Sequence, residues 1–316
     1  MEEIIRVTSY VANLRDVIRH TLFILIGSLI FIKGVEILRV INIAKEQIKK
    51  DHCQGDILEK YAFFDEYFNL FDLNDRKEFE KNMNRTVKKI KNNNFKRSLK
   101  ILENKVEEKE AIILRKTNID FDVDLIIFIG DGSVDGHGVL INNKPYVFFD
   151  LYAFIETSYT LEAFLIHEII HPIHYYFNED FYPKYFETTE EKYLKKLVVE
   201  GIATYFTPFL SDVSFETSYW LGTVNQKEVK DWVKNCKKLK GNIGQKIFET
   251  IEKGEFNLDL YLKLYCVSDS YDLKNSRIGY YYGTEIIKNL SKQKTFKELL
   301  ETDYKEFKKE ISRYFK

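Results

Sequence analysis

The first 115 residues consist of long segments that mix apolar and polar positions and contain almost no glycine or proline. Apolar residues at helical intervals define one face of an α-helix, whereas glycine and proline interrupt helices. This pattern predicts helices within residues 14–50, 57–71 and 75–115. Residues 1–115 are therefore expected to form a helical scaffold.

The pattern changes near residue 119. Residues 122–130 (DVDLIIFIG) form an apolar run that ends in glycine, which is typical of a buried strand. Residues 138–151 are predicted to form a β-hairpin that turns at Asn142 and Asn143. The chain from 160 to 316 is again mostly helical. The order of helices, a small sheet and further helices predicts an α+β fold. Residues 116–316 are expected to form either a domain of their own or a single domain together with the scaffold.

Residues 21–32 (TLFILIGSLIFI) form a run without any charge. A membrane-spanning helix needs about 20 apolar residues, and a shorter run is more often a buried helix. Acidic residues precede the run and no small-residue cleavage site follows it, so it does not resemble a signal peptide. We expect a buried helix, and attachment to a membrane is the alternative.

Charge and cysteine content exclude several classes of protein. The chain has 48 Lys and Arg against 49 Asp and Glu, which argues against a chain-wide role in binding nucleic acid or a membrane surface. The basic segment 85–116 is predicted to be a solvated helix face rather than a nucleic-acid site. The three cysteines are widely spaced and form neither a disulfide framework nor a CxxC metal site, so a cytoplasmic protein is predicted.

An HExxH motif lies in the apolar segment 161–177 (LEAFLIHEIIHPIHYYF). On a helix, the spacing of four residues places His167 and His171 one turn apart on the same face, where both imidazoles can bind one Zn²⁺. Glu168 follows the first of these histidines. It is placed to act as a general base toward a water molecule beside the metal.

A catalytic zinc site usually has a third protein ligand. Glu200 is favoured, because it is a carboxylate within the apolar part of a predicted helix at 190–206, where an unpaired charge would be costly. His174 is the other candidate, but Pro172 lies before it and is expected to kink or end the helix. Thr204, one turn after Glu200, is a candidate hydrogen-bond partner for a metal ligand.

Three elements of the chain occur in the order HEIIH at 167–171, EGIA at 200–203 and GYYYG at 279–283. In this order they resemble the gluzincin clan of zinc metallopeptidases, and most of all its uncharacterised families of predicted Zn-dependent proteases. The resemblance covers about residues 120–290. It implies that residues 116–316 form a zincin-like catalytic domain, mostly helical, with a small mixed sheet whose edge strand flanks the active-site helix. It also implies zinc ligation by His167, His171 and Glu200.

The resemblance further implies roles for residues that contact substrate. Tyr280 or Tyr281 is expected to stabilise negative charge that develops on the carbonyl oxygen, and Arg277 is expected to bind a substrate carboxylate. An edge strand, either residues 139–141 or residues 146–149 beginning at Tyr146, is expected to bind extended peptide by strand addition.

The sequence therefore predicts a zinc-dependent metallopeptidase that acts on peptide or protein substrates. The absence of a Gly-x-Met-Glu-Asn element, found in one gluzincin aminopeptidase family, favours an endopeptidase. Two alternatives stay open at this point. One is a non-catalytic zinc-binding protein in which His174 supplies a fourth ligand, and the other is a zinc protease tethered to a membrane through residues 21–32.

Overall fold

The computed structural model describes residues 38–49, 59–70, 76–91, 121–132, 135–157, 159–267 and 272–316, together with isolated positions between 99 and 119. The apolar run at residues 21–32 lies outside the described residues, so both of its interpretations stay predictions. In the described part of the chain, no helix combines the length and the apolar character needed to cross a membrane.

Four strands form one mixed sheet in the order β1-β2-β4-β3. In chain order they are Leu38–Asn42 (β1), Val123–Phe128 (β2), Gly136–Ile141 (β3) and Lys144–Asp150 (β4). Strands β1, β2 and β4 run parallel, and β3 pairs antiparallel with β4. Asn142 at φ 53° and Asn143 at φ 60° make the tight turn between β3 and β4, a left-handed conformation that asparagine tolerates well. The predicted buried strand and hairpin are confirmed.

Strand β1 lies inside the segment 14–50 that was predicted to be helical, so that prediction is wrong for Leu38–Asn42. All five residues of β1 pair with the fully buried strand β2. Packing against a buried neighbour decides strand formation more strongly than local preference does. The sheet consequently crosses the boundary predicted at residue 115, and residues 38–316 form one compact unit.

In the described part of the chain before β2, three helices have defined bounds: Ile43–Lys49 (α1), Phe63–Leu70 (α2) and Arg76–Lys91 (α3). Aromatic side chains pack α2 against one face of the sheet. The Tyr67 ring lies 4.7 Å from the ring of Phe148 on β4, and the Phe64 ring lies 5.4 Å from that of Phe128 on β2. Helices α2 and α3 confirm the helical predictions for residues 57–71 and for the start of 75–115.

The second half of the described chain is mostly helical, as predicted. Its α-helices are Leu151–Glu156 (α4), Leu161–Phe177 (α5), Thr189–Leu210 (α6), Phe215–Trp220 (α7), Gln226–Lys253 (α8), Leu258–Tyr265 (α9), Ile278–Leu290 (α10), Phe296–Leu300 (α11) and Tyr304–Phe315 (α12). Short 3₁₀ segments occur at Glu179–Phe181, Pro183–Tyr185 and Leu273–Asn275. A mostly helical chain with a small mixed sheet confirms the α+β class.

Helix α5, which carries the HExxH motif, packs on the face of the sheet opposite α2 and beside β3, an edge strand among the described strands. The Phe164 ring of α5 lies 4.9 Å from the ring of Phe149 on β4. Two glycines of β3 face the helix. A Cβ on Gly136 would lie 2.6 Å from the Phe164 ring and 3.0 Å from Cγ of Glu168, so only glycine lets the strand pass so close.

Pro172 was predicted to kink or end the helix, and α5 does not end there but continues to Phe177. Proline removes one backbone hydrogen bond of the helix and needs space for its ring on the preceding turn. Gly138 of β3 provides that space, because a Cβ at this position would collide with the Pro172 ring. Packing of the helix against the strand therefore tolerates a residue that the isolated helix would not.

Helices α6 and α10 make their closest contact through a pair of glycines. A Cβ on Gly201 would lie 2.5 Å from the carbonyl carbon of Gly283, and a Cβ on Gly283 would lie 2.9 Å from Cα of Gly201. Real atoms do not approach so closely, so the two backbones touch only because neither residue has a side chain. These are the glycines of the EGIA and GYYYG elements.

Substitution of Gly283 by alanine is expected to push α6 and α10 apart and to lower the free energy of unfolding by about 1–3 kcal/mol, the usual cost of overpacking. Gly241 in α8 is the matched control, since nothing lies within 4 Å of a Cβ at that position. Gly241→Ala should stabilise the protein by about 0.5–1 kcal/mol through helix propensity. Urea unfolding of both variants makes the comparison, and equal stabilities would contradict the proposed contact.

Candidate metal centre

Three buried side chains from α5 and α6 direct one ligand atom each toward a common point. Nε2 of His167 and Nε2 of His171 lie 3.2 Å apart. Oε2 of Glu200 lies 3.4 Å from the first nitrogen and 3.6 Å from the second. The helical spacing of the histidines and the position of Glu200 on the neighbouring helix α6 thus bring together the three residues predicted to be ligands.

The separations between these atoms fit a tetrahedral Zn²⁺. Nitrogen and oxygen ligands at about 2.0–2.1 Å from zinc in a tetrahedral array lie about 3.3 Å from one another. Glu200 Oε2 is buried and accepts no hydrogen bond within the described residues. A cation between the three atoms would satisfy this oxygen and both nitrogen lone pairs, so the donor set fits the metal.

The protonation states of the two histidines also suit a metal. Burial lowers the pKa of His167 and holds that of His171 well below its ordinary value. Both rings are therefore neutral at pH 7, which is the form that binds a metal. Their Nδ1 atoms find no hydrogen-bond partner in the described part of the chain, so the outer hydrogen bonds that commonly orient metal-bound histidines are not seen here.

Lys196 keeps Glu200 ionised. Burial by itself would raise the pKa of Glu200, but the nearby ammonium of Lys196 and the two histidines together outweigh burial and hold that pKa well below its usual range. Lys196 Nζ lies 2.7 Å from Oε1 of Glu200, which leaves Oε2 directed at the histidines. Sequence reasoning missed Lys196. Its position four residues before Glu200 on a helix is a signal for an ion pair that could have identified it.

Glu168 lies beside the two histidines. One ligand atom of each of His167, Glu168 and His171 falls within 4.8 Å of the others. Oε2 of Glu200 lies 3.4 and 3.6 Å from the two nitrogens, so Glu200 is the candidate third ligand and Glu168 is a neighbouring acid. Burial raises the pKa of Glu168 well above its usual range, and the charges of Glu200 and Asp135 add to this effect. A dication at the centre would reverse the shift and favour the carboxylate.

Two tyrosines were predicted to assist catalysis. Tyr280 lies beside the centre, whereas Tyr281 points away from it. The Tyr280 ring stacks on that of His167, with ring centres 6.2 Å apart and planes 20° apart. Tyr281 instead packs on the other side of α10 against Tyr219 and Trp232, at 6.0 and 6.2 Å. Consecutive residues of a helix point about 100° apart, so the two phenols cannot both face the metal ligands.

Arg277 is also close to the centre. It is the residue before α10 and adopts a left-handed backbone with φ 54°. Its guanidinium carbon lies 3.9 Å from the ring centre of Tyr280. The HEIIH, EGIA and GYYYG elements thus meet in space, with α5, α6 and α10 each contributing a side chain.

Comparison with known proteins adds nothing to this picture. No family model, curated protein or solved structure matches the chain. The resemblance to gluzincins therefore stays a prediction from short motifs. The chemistry of the centre depends on the geometry of its own residues.

Two other predicted site residues lie apart from the ligand atoms. His174 is buried and stacks on Phe181 with ring centres 4.8 Å apart, and burial alone lowers its pKa to about 3. It does not join the metal-binding group found among the described residues, because it lies one turn beyond His171. The Thr204 hydroxyl is buried and has no hydrogen-bond partner in the described chain, so the expected bond to a metal ligand is not formed.

Tyr146, predicted to bind substrate, lies on the face of the sheet that is opposite α5. Side chains alternate between the two faces of a strand, and Tyr146 shares with Phe148 the face that packs on α2, where its ring lies 6.0 Å from that of Phe63. Strand β4 is also paired on both sides, with β2 and β3. Of the two strands predicted to accept a peptide, only β3 is at an edge of the described sheet.

The assignment of the ligands predicts which side chains determine zinc affinity. Glu200→Gln should weaken Zn²⁺ binding by more than about 100-fold, because even the outer hydrogen bonds of a metal ligand contribute 10–100-fold. His174→Phe keeps the stacking on Phe181 and should bind one Zn²⁺ with unchanged affinity. Competition with a chelator measures both constants. A large loss of affinity in His174→Phe would show that His174 is a ligand and that the assignment is incorrect.

Proposed function

We propose that this protein is a zinc-dependent metallopeptidase in which His167, His171 and Glu200 hold Zn²⁺. The observation that carries the proposal is the triangle of buried ligand atoms, with sides of 3.2, 3.4 and 3.6 Å. Three protein ligands leave one coordination position open, which is typical of catalytic zinc, whereas structural zinc sites usually have four protein ligands.

Bound zinc would polarise the scissile carbonyl and make a neighbouring water more acidic. Glu168 is proposed to take a proton from the attacking water and to give it to the amine as the C–N bond breaks. Its position supports this role, since it follows the first ligand on α5 and lies within 4.8 Å of the ligand nitrogens.

Tyr280 is proposed to donate its phenolic hydrogen to the carbonyl oxygen as negative charge develops there. Burial raises the pKa of Tyr280, so the phenol stays protonated and remains a donor. Its ring stacks on that of His167 and also contacts the Arg277 guanidinium. A donor held in this way needs little reorganisation during the reaction.

Strand β3 is proposed to bind the peptide by strand addition. An edge strand that flanks the active-site helix in this way is the feature expected of a zincin-like fold. Gly136 brings β3 so close to α5 that its Cβ, if present, would lie 3.0 Å from Cγ of Glu168. A peptide aligned along the edge of β3 would therefore pass directly beside the proposed general base. Main-chain hydrogen bonds of this kind bind many different sequences, which suits a peptidase.

The central test of this function is Glu168→Gln. Removing the general base should lower peptide hydrolysis by about 10²–10⁴-fold, while zinc content, measured by elemental analysis, stays at one ion per chain. Digestion of a peptide library by the wild type and the variant, followed by mass spectrometry, gives the activities. Wild-type activity in Glu168→Gln would exclude the proposed mechanism.

Glu162→Gln is the matched control on the same helix. Glu162 is part-exposed and pairs with Lys105 at 3.3 Å, an interaction worth little at a surface. Its hydrolysis rate should stay within about twofold of the wild type, since it is not near the metal ligands. If the wild type binds one zinc tightly and cleaves no peptide in the library, the protein is the non-catalytic zinc-binding protein of the alternative hypothesis.

The two neighbouring tyrosines give a second test. Tyr280→Phe should lower kcat by about 10²–10³-fold, the usual effect of losing one donor to the developing oxyanion. Tyr281→Phe removes the same atom from the next residue, which packs against Tyr219 on the other side of the helix, and should leave kcat unchanged. Steady-state kinetics on one fluorogenic peptide compares them. Equal effects of the two substitutions would refute the role of Tyr280.

A further inference from the structure

The guanidinium of Arg277 is held between two aromatic rings beside the metal centre. Its central carbon lies 3.9 Å from the ring centre of Tyr280 and 5.6 Å from that of Trp220. Cation–π contacts of this kind hold a guanidinium flat against a ring while leaving its edge free for hydrogen bonds. The side chain is therefore oriented before any ligand arrives.

The backbone also fixes this residue. Arg277 has φ 54°, a left-handed conformation that costs free energy for any residue other than glycine. Its N–H donates to the carbonyl of Cys266 at 3.2 Å, and the indole of Trp232 donates to the carbonyl of Ser276 at 2.8 Å. Strained backbone that neighbours hold so firmly is found mostly at functional sites.

No carboxylate of the described residues forms an ion pair with Arg277. Its Nε is buried and lacks a hydrogen-bond partner in the described part of the chain. Burying an unpaired cationic donor is unfavourable, so these N–H groups are suited to an anion that comes from outside the protein.

Distance limits where that anionic group lies along the peptide. The Tyr280 ring centre is 6.2 Å from that of His167 and 3.9 Å from the guanidinium carbon, so the guanidinium lies within about 10 Å of the His167 ring. An extended peptide advances about 3.3–3.6 Å per residue. At most about three residues span this separation.

We infer that Arg277 binds a substrate carboxylate within about three residues of the cleaved bond, so that the preferred substrates carry a negative charge there. This inference rests on the proposed peptidase function. The carboxylate comes either from the C-terminus of the peptide, which would make the enzyme a carboxypeptidase, or from an Asp or Glu side chain, which agrees with endopeptidase action. Both sources present the same planar anion to the guanidinium fork.

The test measures binding, so it does not depend on cleavage. Full-length, zinc-loaded Glu168→Gln protein is titrated calorimetrically with two pairs of probes that differ only in charge. N-benzoyl-Gly-Phe and its C-terminal amide report on the C-terminal carboxylate. N-benzoyl-Gly-Asp-amide and N-benzoyl-Gly-Asn-amide report on a side-chain carboxylate.

The charged member of at least one pair should bind at least tenfold more tightly than its neutral partner. Adding Arg277→Met should abolish this difference, and Arg277→Lys should restore part of it. Lys238→Met, which removes an exposed cation from α8, controls for general electrostatics and should leave the ratio unchanged. The pair that discriminates identifies the source of the carboxylate.

Equal binding within both pairs, including no binding by any probe, would overturn the inference, and so would discrimination that survives Arg277→Met. In the active enzyme, Arg277→Met should raise KM for the charged substrate more than KM for its neutral analogue. Loss of folding is checked by circular dichroism, and Arg277→Lys keeps the test valid if the Met variant fails to fold. Failure of the peptidase proposal would be a separate result, in which the zinc-loaded wild-type protein hydrolyses no peptide.

Discussion

The contact between Gly201 and Gly283 is the constraint on which the site depends. At this crossing the backbones of α6 and α10 touch, and a Cβ on Gly201 would lie 2.5 Å from the opposite carbonyl carbon. Glu200 immediately precedes one glycine, and Tyr280 lies one turn before the other. The crossing therefore sets how far the carboxylate ligand and the phenol lie from the histidines of α5. A displacement of 1 Å at such a site is enough to lower a reaction rate severely.

The charges of the buried centre favour the binding of a cation. Two buried imidazoles and the carboxylate of Glu200 meet where water is excluded, and burial together with acidic neighbours raises the pKa of a second acid, Glu168. Lys196 offsets only one negative charge, since it pairs with Oε1 of Glu200 and leaves Oε2 free. The arrangement is costly as it stands, and a dication removes most of that cost. Geometry and charge thus favour the same ligand independently.

Much of the centre could be predicted because the patterns that indicate it lie within short segments of the sequence. The spacing of His167 and His171 follows from the helical period, and an acid such as Glu200 in an apolar helix segment indicates a partner. Tertiary contacts decided the rest. Strand β1 forms because β2 pairs with it, and Tyr146 is directed away from the site by the alternation of the strand. Which of two adjacent tyrosines faces the metal depends on the rotation of α10, which the glycine contact sets and no local pattern reveals.

Pro172 shows how such a contact shapes the site itself. Its missing N–H would otherwise bond to the carbonyl of Glu168, four residues earlier. A helix in water would be weakened there, yet α5 continues to Phe177 because Gly138 leaves room for the ring. The same glycine brings β3 against the His171 side chain, and Gly136 brings it against Glu168. Pro172 and strand β3 therefore pack together as one unit. This packing places the edge of the sheet beside Glu168, the acid proposed to act on a peptide bound there.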